Sequence, residues 1–230
     1  MQLESIKTFV VGNPPPSFGG RYFVFVKIRT KCGIEGVGEA YAATFSPHII
    51  AAMAEDLFER LFAGQDPMQI ETLWRKAYGA GFTLRPDVSL MGVLSALEMA
   101  CWDITGKALE QPIYKLLGGL VNPRLRSYTY LYPDATEDDS FYDDPVKGAE
   151  RAAIYVEQGF TAVKFDPVGG YSVFDPRQPT LERMDLSERF CKLVREAVGD
   201  KADILFGTHG QYTVSGAKRL ARRLEKYDPL

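Results

Sequence analysis

Apolar and polar residues follow two different spacings in the first half of the chain. Up to about residue 38, β-branched and aromatic side chains partly alternate with polar ones, which is typical of strands. The predicted strands are residues 3–11, 22–29 and 34–38. Apolar residues then recur every three or four positions, which predicts helices that begin near Pro47, Pro67 and Asp87. An antiparallel sheet followed by helices makes this half an α+β unit.

After about residue 124, predicted strands alternate with predicted helices. The strand candidates are residues 126–132, 161–166 and 204–206. The helices are expected to begin near Asp144, Asp185 and Thr213, with Glu188 completing a capping box at the second. This alternation predicts three parallel βα units. A Pro-Leu pair follows the last helix, as it commonly does where a strand begins, so we expect the domain to continue beyond Leu230.

Composition narrows the class of protein. Hydrophobic residues make up 46% of the chain and charged residues 25%, the ordinary mix of a soluble globular protein. The formal net charge of -3 provides no basic field for nucleic acid. No apolar run approaches about 20 residues, and the first residues lack a secretory signal pattern. We therefore expect a cytoplasmic protein without a nucleic-acid or membrane partner.

The cysteines and histidines restrict the possible metal chemistry. Three cysteines stand far apart without a CxxC pair, so we expect reduced thiols rather than a disulfide framework. The chain has only two histidines, His48 and His209. A bound metal would need mostly oxygen ligands, which favours Mg²⁺-like ions.

Three stretches carry a resemblance to a known family. They are residues 36–40 (GVGEA), 95–107 (SALEMACWDITGK) and 112–119 (PIYKLLGG). Together they closely resemble the mandelate racemase/muconate lactonizing enzyme group of the enolase superfamily. Val93 and Cys101 depart from the usual pattern, where Ala and Leu are typical. The small residues of the long stretch allow close helix packing, and Asp103 and Lys107 can pair on the helix surface, so the motif indicates the family rather than the reaction.

The resemblance implies a fold and a chemistry. Residues 1–122 would form an α+β N-terminal capping domain, and residues 123–230 the first part of a modified α/β TIM barrel, incomplete at its C-terminus. In such barrels the chemistry lies at the carboxyl ends of the strands. Family members use Mg²⁺ and cationic side chains to stabilise the enolate formed when the proton alpha to a carboxylate is removed. The strand after Leu230 would carry a metal-binding Glu.

Lys164 and Asp166 lie two apart on a predicted strand, so their side chains share a face. The family often has Lys-x-Lys at these positions. Lys164 matches the first lysine, which binds or polarises the substrate carboxylate. Asp166 replaces the second, which is the base in racemases and cycloisomerases. The alternative is a structural Lys–Asp pair at the barrel rim.

His209 follows the last predicted strand, in the sequence FGTHGQ of residues 206–211. Sugar-acid dehydratases of the family, such as galactonate dehydratases, resemble it in having a His two residues beyond a metal-binding Asp. That His is the general acid for the departing hydroxyl, a role that imidazole suits near neutral pH. Gly207 stands at the position of that Asp and has no side chain to bind metal. Three alternatives follow: other residues hold the metal, His209 or Asp166 becomes a metal ligand, or the metal site is weak. His209 could also be a plain turn residue.

Further candidates would contact the substrate. Capping-domain segments carry four of them, and the histidine loop carries the fifth: Tyr41, Phe45, His48, Arg85 and Gln211. For His48 and Arg85 the alternatives are a surface histidine and a surface ion pair.

Three functions are compatible with these patterns. The first is a Mg²⁺-dependent dehydratase of acid sugars, with Lys164, Asp166 and His209 at the catalytic site and a small carboxylate as substrate. The second is a racemase or cycloisomerase of the same superfamily, against which Asp166 counts. The third is a catalytically incompetent fragment or homologue. We expect the complete protein to be a homo-oligomer.

Overall fold

Two sheets organise the chain, one in each of two structural units. The computed structural model describes residues 1–15, 17, 19–41, 45–81, 87–166 and 178–230. Unit 1 comprises Met1–Pro123 and unit 2 comprises Arg124–Leu230.

Unit 1 begins with an antiparallel sheet in the order β1-β2-β3. Its strands are β1 (Leu3–Gly12), β2 (Tyr22–Thr30) and β3 (Glu35–Ala40). Alternate residues of β2 are buried, namely Val24, Val26 and Ile28. This period of two gives the sheet one face toward the core of the unit. The predicted antiparallel sheet is confirmed.

Four α-helices follow among the described residues of unit 1: α1 (Pro47–Leu57), α2 (Ile70–Ala80), α3 (Val88–Ala108) and the short α4 (Ile113–Leu116). A π-helical turn, Phe58–Phe62, continues α1. Asp87 caps α3 by accepting hydrogen bonds from the backbone N–H groups of Ser89 and Leu90. The predicted start of α2 near Pro67 is wrong. Asp66 accepts hydrogen bonds from Met68 and Gln69 instead, which makes a turn before the helix.

Side chains of the motif that carries the family resemblance form hydrogen bonds between α3 and β3. Asp103 accepts a hydrogen bond from the backbone N–H of Val37 at 2.9 Å, and Lys107 donates one to the carbonyl of Glu35 at 2.7 Å. Lys107 also pairs with Asp103 at 2.8 Å, as the spacing predicts. The motif therefore positions a helix against a strand.

Among the helices in the described ranges, only α3 is long and apolar enough to cross a membrane. Nine of its residues are buried in unit 1. Packing within the unit therefore accounts for its apolar character.

Unit 2 contains a parallel sheet in the order β4-β5-β6. The strands are β4 (Thr129–Tyr130), β5 (Ala162–Phe165) and β6 (Asp203–Phe206), and the helices are α5 (Pro145–Glu157), α6 (Leu181–Val198) and α7 (Val214–Leu224). The predicted parallel βα units are confirmed, although the first strand is much shorter than residues 126–132. Asp144 and Thr213 cap α5 and α7, as predicted.

The capping box predicted at Asp185 is wrong. Helix α6 begins four residues earlier, where the Thr180 side chain accepts a hydrogen bond from the backbone N–H of Arg183. Asp185 and Glu188 lie inside the helix and pair with Arg223 of α7. Lys226 also pairs with Glu188. These carboxylates tie two helices together instead of capping one.

This network predicts an acid-sensitive contribution to stability. Hydrogen bonds from Lys226 and Arg223 hold the pKa of Glu188 at about 2, well below its ordinary value. A lowered folded-state pKa stabilises the fold above the unfolded-state pKa, and this contribution is lost as pH falls from about 4.5 toward 2. Because Glu188 is partly exposed, we expect Glu188→Gln to cost about 1 kcal/mol at pH 7 and almost nothing near pH 2.

Urea unfolding at pH 7 and at pH 2–3 would measure this difference. Glu182→Gln, on the same helix but outside the network, is the matched control. An equal cost of Glu188→Gln at both pH values would contradict the prediction.

Candidate functional site

The carboxyl ends of β5 and β6 bring the candidate catalytic residues together. Phe165 pairs with Phe206 in the parallel register, so Asp166 and Gly207 leave the two strands side by side. The backbone N–H of Gly207 donates to the carbonyl of Phe165 at 2.9 Å, which extends the pairing past the strands. Parallel strands present their carboxyl ends at one edge of a sheet, where side chains converge.

Asp166 lies between the other two candidates. Its Oδ2 is 3.6 Å from His209 Nδ1. A Cβ built on Gly207 would lie 2.0 Å from Asp166 Oδ1 and 2.9 Å from Lys164 Cε, so both side chains border the same small space. The structure thus places Lys164, Asp166 and His209 at one edge of the sheet.

Two tyrosines of the preceding strand region support Lys164. Its Nζ lies 5.5 Å from the ring centroid of Tyr128 and 5.8 Å from that of Tyr130. Cations are attracted to the faces of aromatic rings at such distances. The sequence predicted a strand over residues 126–132, but no local signal connected its tyrosines to Lys164. The parallel pairing of Tyr130 with Lys164, a tertiary contact, makes that connection.

His209 lies in a tight turn that holds an unusual backbone conformation. The N–H of Gln211 donates to the carbonyl of Thr208 at 3.1 Å, and the two central residues, His209 and Gly210, have φ values of 47° and 68°. Positive φ at both central positions is typical of a type I′ turn. Glycine adopts it readily, but a histidine there is uncommon and costs free energy. Strain of this kind often accompanies a functional role.

Tyr212 and Gln211 border the same region. Burial, and to a lesser extent the charge of Asp166, raise the pKa of Tyr212 to about 12. Tyr212 is therefore protonated at neutral pH and carries a hydroxyl donor. Gln211 Oε1 is buried and accepts no hydrogen bond from the described residues. Sequence reasoning missed Tyr212, which no local motif marks.

The capping-domain candidates lie on unit 1. Tyr41 is 78% exposed and borders a cavity of about 250 Å³ lined also by residues 19–23 and 39–40. Phe45 is exposed, and its carbonyl accepts a hydrogen bond from the Tyr22 hydroxyl at 3.0 Å. His48 is exposed in the first turn of α1. Arg85 lies outside the described residues.

The donor set at the sheet edge fits part of a magnesium shell. Within the described residues, no three His, Cys, Asp or Glu side chains are grouped as a metal site. Asp166 offers one carboxylate at this edge, the ligand type that Mg²⁺ prefers, and Gly207 offers none. The family resemblance assigns further ligands to later strands of the barrel.

Two family models match the chain. Residues 10–118 match the N-terminal domain of mandelate racemase/muconate lactonizing enzymes, and residues 147–230 match the enolase C-terminal domain-like family. The chain belongs to the mandelate racemase/muconate lactonizing enzyme group of the enolase superfamily. The predicted family and fold class are confirmed.

Solved and curated relatives within this group extend the comparison. A structure from Labrenzia alexandrii DFL-11, assigned to the mandelate racemase/muconate lactonizing enzymes, is 66% identical with a TM-score of 0.94, covering 100% of this chain and 59% of that one. A D-xylonate dehydratase of Haloferax volcanii is 34% identical over 96% of this chain and 50% of its own length. A D-gluconate/D-galactonate dehydratase of Picrophilus torridus is 30% identical over 99% and 56%. The chain thus spans about half the length of these curated relatives.

Proposed function

We propose that the protein carrying this sequence is a Mg²⁺-dependent dehydratase of acid sugars of the aldonate type. One observation carries the proposal: His209 lies at the same sheet edge as Lys164, on a strained turn beside Asp166. The dehydratase names of the curated relatives support it. Residues 1–122 would form the capping domain and residues 123–230 the first part of the barrel, in a cytoplasmic homo-oligomer.

The proposed reaction removes water across two adjacent carbons. A base takes the proton alpha to the carboxylate, the bond to the hydroxyl on the next carbon breaks, and a carbon–carbon double bond forms. His209 gives its proton to the departing hydroxyl, which leaves as water. Nδ1 faces Asp166, so Nε2, on the other side of the ring, is the atom we propose donates.

Lys164 is proposed to bind the substrate carboxylate. Its ammonium would neutralise the ground-state charge and the larger charge of the enolate that follows proton removal. Tyr128 and Tyr130 hold the ammonium over their rings, which limits the positions that it samples. A bound Mg²⁺ would supply further stabilisation of that negative charge.

Residues of unit 1 are also candidates for substrate recognition. We propose that Tyr41, Phe45, His48 and Arg85 contribute to the choice of sugar acid, together with Gln211 of the histidine turn. The cavity that Tyr41 borders supports a recognition role for that segment. A racemase is disfavoured because Asp166, an anion next to Lys164, stands where such enzymes carry a second lysine.

An activity screen of the full-length protein against aldonates, with and without Mg²⁺, tests the proposal. Formation of a 2-keto-3-deoxy acid from at least one aldonate is the expected result. Exchange or inversion at the alpha carbon without loss of water would indicate a racemase instead. No reaction and no metal binding would indicate a catalytically incompetent homologue.

Lys164→Ala is expected to raise KM and lower kcat together, because the lysine contacts the carboxylate in both the ground state and the transition state. The loss of a hydrogen bond to a charged group predicts a decrease of roughly 10- to 100-fold in kcat/KM. Lys201→Ala is the control. Lys201 is exposed and lies two residues before β6, at the end of that strand opposite the candidate site. An unchanged KM for Lys164→Ala would remove the lysine from substrate binding.

A further inference from the structure

A side chain at position 207 would compete for space with the Asp166 carboxylate in its present rotamer. The φ of Gly207 lies outside the left-handed range, so the backbone there would accept any L residue. A Cβ at this position would nevertheless lie 2.0 Å from Asp166 Oδ1, and real Cβ atoms essentially never approach closer than 3.0 Å. The carboxylate of Asp166 thus occupies the space that a side chain at position 207 would need.

We infer that Asp166 supplies, from the neighbouring strand, the metal-binding carboxylate that the family carries where Gly207 stands. This inference rests on the proposed Mg²⁺-dependent function. The chain departs from the family pattern twice: position 207 has no acidic side chain, and Asp166 stands in place of the second lysine. The two departures are then parts of one change. The carboxylate at the end of β6 is absent, and the Asp166 carboxylate, at the end of β5, lies beside Gly207 instead.

The surroundings of Asp166 suit this assignment. The side chain is 22% exposed, so the protein shelters most of it while part of it remains at the surface. His209 Nδ1 lies 3.6 Å from its Oδ2. Family dehydratases place the general-acid His two residues beyond the metal-binding Asp. Here the acid and the carboxylate remain neighbours in space although they come from different strands.

The inference predicts that positions 166 and 207 are coupled. A carboxylate at both positions would overlap, whereas moving it from Asp166 to position 207 removes the overlap with Asp166 and leaves only the flexible end of Lys164, whose Cε lies 2.9 Å from a Cβ at 207, to shift. Metal binding follows the presence of one carboxylate, whichever strand provides it. If the two positions were independent, a substitution at position 207 would not restore the metal affinity lost at position 166.

Mn²⁺ binding, measured by EPR on the full-length protein with Mg²⁺ as competitor, tests the coupling without relying on activity. Asp166→Asn is expected to weaken Mn²⁺ binding by at least about tenfold, the loss that removal of even an outer-shell partner causes. The exchange variant Asp166→Ala/Gly207→Asp is expected to recover most of that affinity. Asp203→Asn is the control, because Asp203 is the first residue of β6, at the end of that strand opposite Gly207, and pairs there with Arg126. Circular dichroism confirms that each variant is folded.

The outcomes separate this inference from the proposed function. If the wild-type protein binds Mn²⁺ and Asp166→Asn binds it equally well, Asp166 is not a ligand and the inference fails alone. A folded exchange variant that stays as weak as Asp166→Asn overturns the replacement from β5. Absence of Mn²⁺ binding in the wild-type protein overturns both the inference and the Mg²⁺-dependent function.

Discussion

Replacing His209 by asparagine is expected to lower the turnover of the best aldonate substrate by about 10²- to 10⁴-fold, the usual cost of losing a general acid. Substrate affinity should stay within a few-fold, because Lys164 still binds the carboxylate. Asparagine is the informative replacement, since it tolerates the positive φ of this turn and so preserves the backbone. Steady-state kcat and KM on the full-length protein measure the effect.

Two further measurements isolate the acid role. A substrate with a halide in place of the departing hydroxyl needs no proton from the enzyme, so His209→Asn should eliminate halide at close to the wild-type rate. Glu110→Asn is the matched control, because Glu110 also has a positive φ of 51° but lies in unit 1 after α3. Near-full turnover of His209→Asn on the aldonate would make His209 a turn residue without a catalytic role.

Gly38→Ala is expected to destabilise unit 1 by at least about 3 kcal/mol, at the upper end of overpacking effects. A Cβ on Gly38 would lie 1.9 Å from the carbonyl oxygen of Ala96 and 2.8 Å from its carbonyl carbon. Both atoms belong to the backbone of α3, so no side-chain rotation relieves the overlap. Helix α3 would have to move away from β3 and would strain the hydrogen bond between Asp103 and Val37.

Thermal unfolding would show this change as a decrease in Tm of roughly 6–12 °C for a chain of this size. Gly79→Ala provides the control in the same unit, because a Cβ there meets nothing within 4 Å. Gly79 lies in the last turn of α2, so this control should be neutral or stabilise by up to about 0.5–1 kcal/mol. Equal Tm values for Gly38→Ala and the wild-type protein would mean that β3 and α3 pack less closely than described.

The order of elements could be predicted from the sequence because it depends on local signals. Alternation of apolar residues in β2, the Asp87 cap of α3 and the change to strand–helix units are all encoded within a few neighbouring residues. The candidate site was also predictable to the level of strands. Lys164 lies near the end of β5, and Asp166 and His209 follow β5 and β6; neighbouring parallel strands end at one edge of a sheet.

Local sequence patterns predicted the wrong contact where a residue had two possible partners. Asp185 and Glu188 have the spacing of a capping box, but Arg223 of α7 and Lys226, two residues after that helix, compete for these carboxylates. The ion pairs formed across the helices, and Thr180 capped α6 instead. Spacing along the chain carries no information about cations that lie about 40 residues away.

The sequence by itself determined the family, the two kinds of sheet and which strand ends carry the candidate residues, because periodicity and short motifs encode them. Only the tertiary structure decided what each side chain meets. It placed Tyr128 and Tyr130 over Lys164, and it filled the space above Gly207 with the carboxylate of Asp166. Contacts between strands depend on register and on the volume left by neighbouring side chains, and a linear pattern specifies neither.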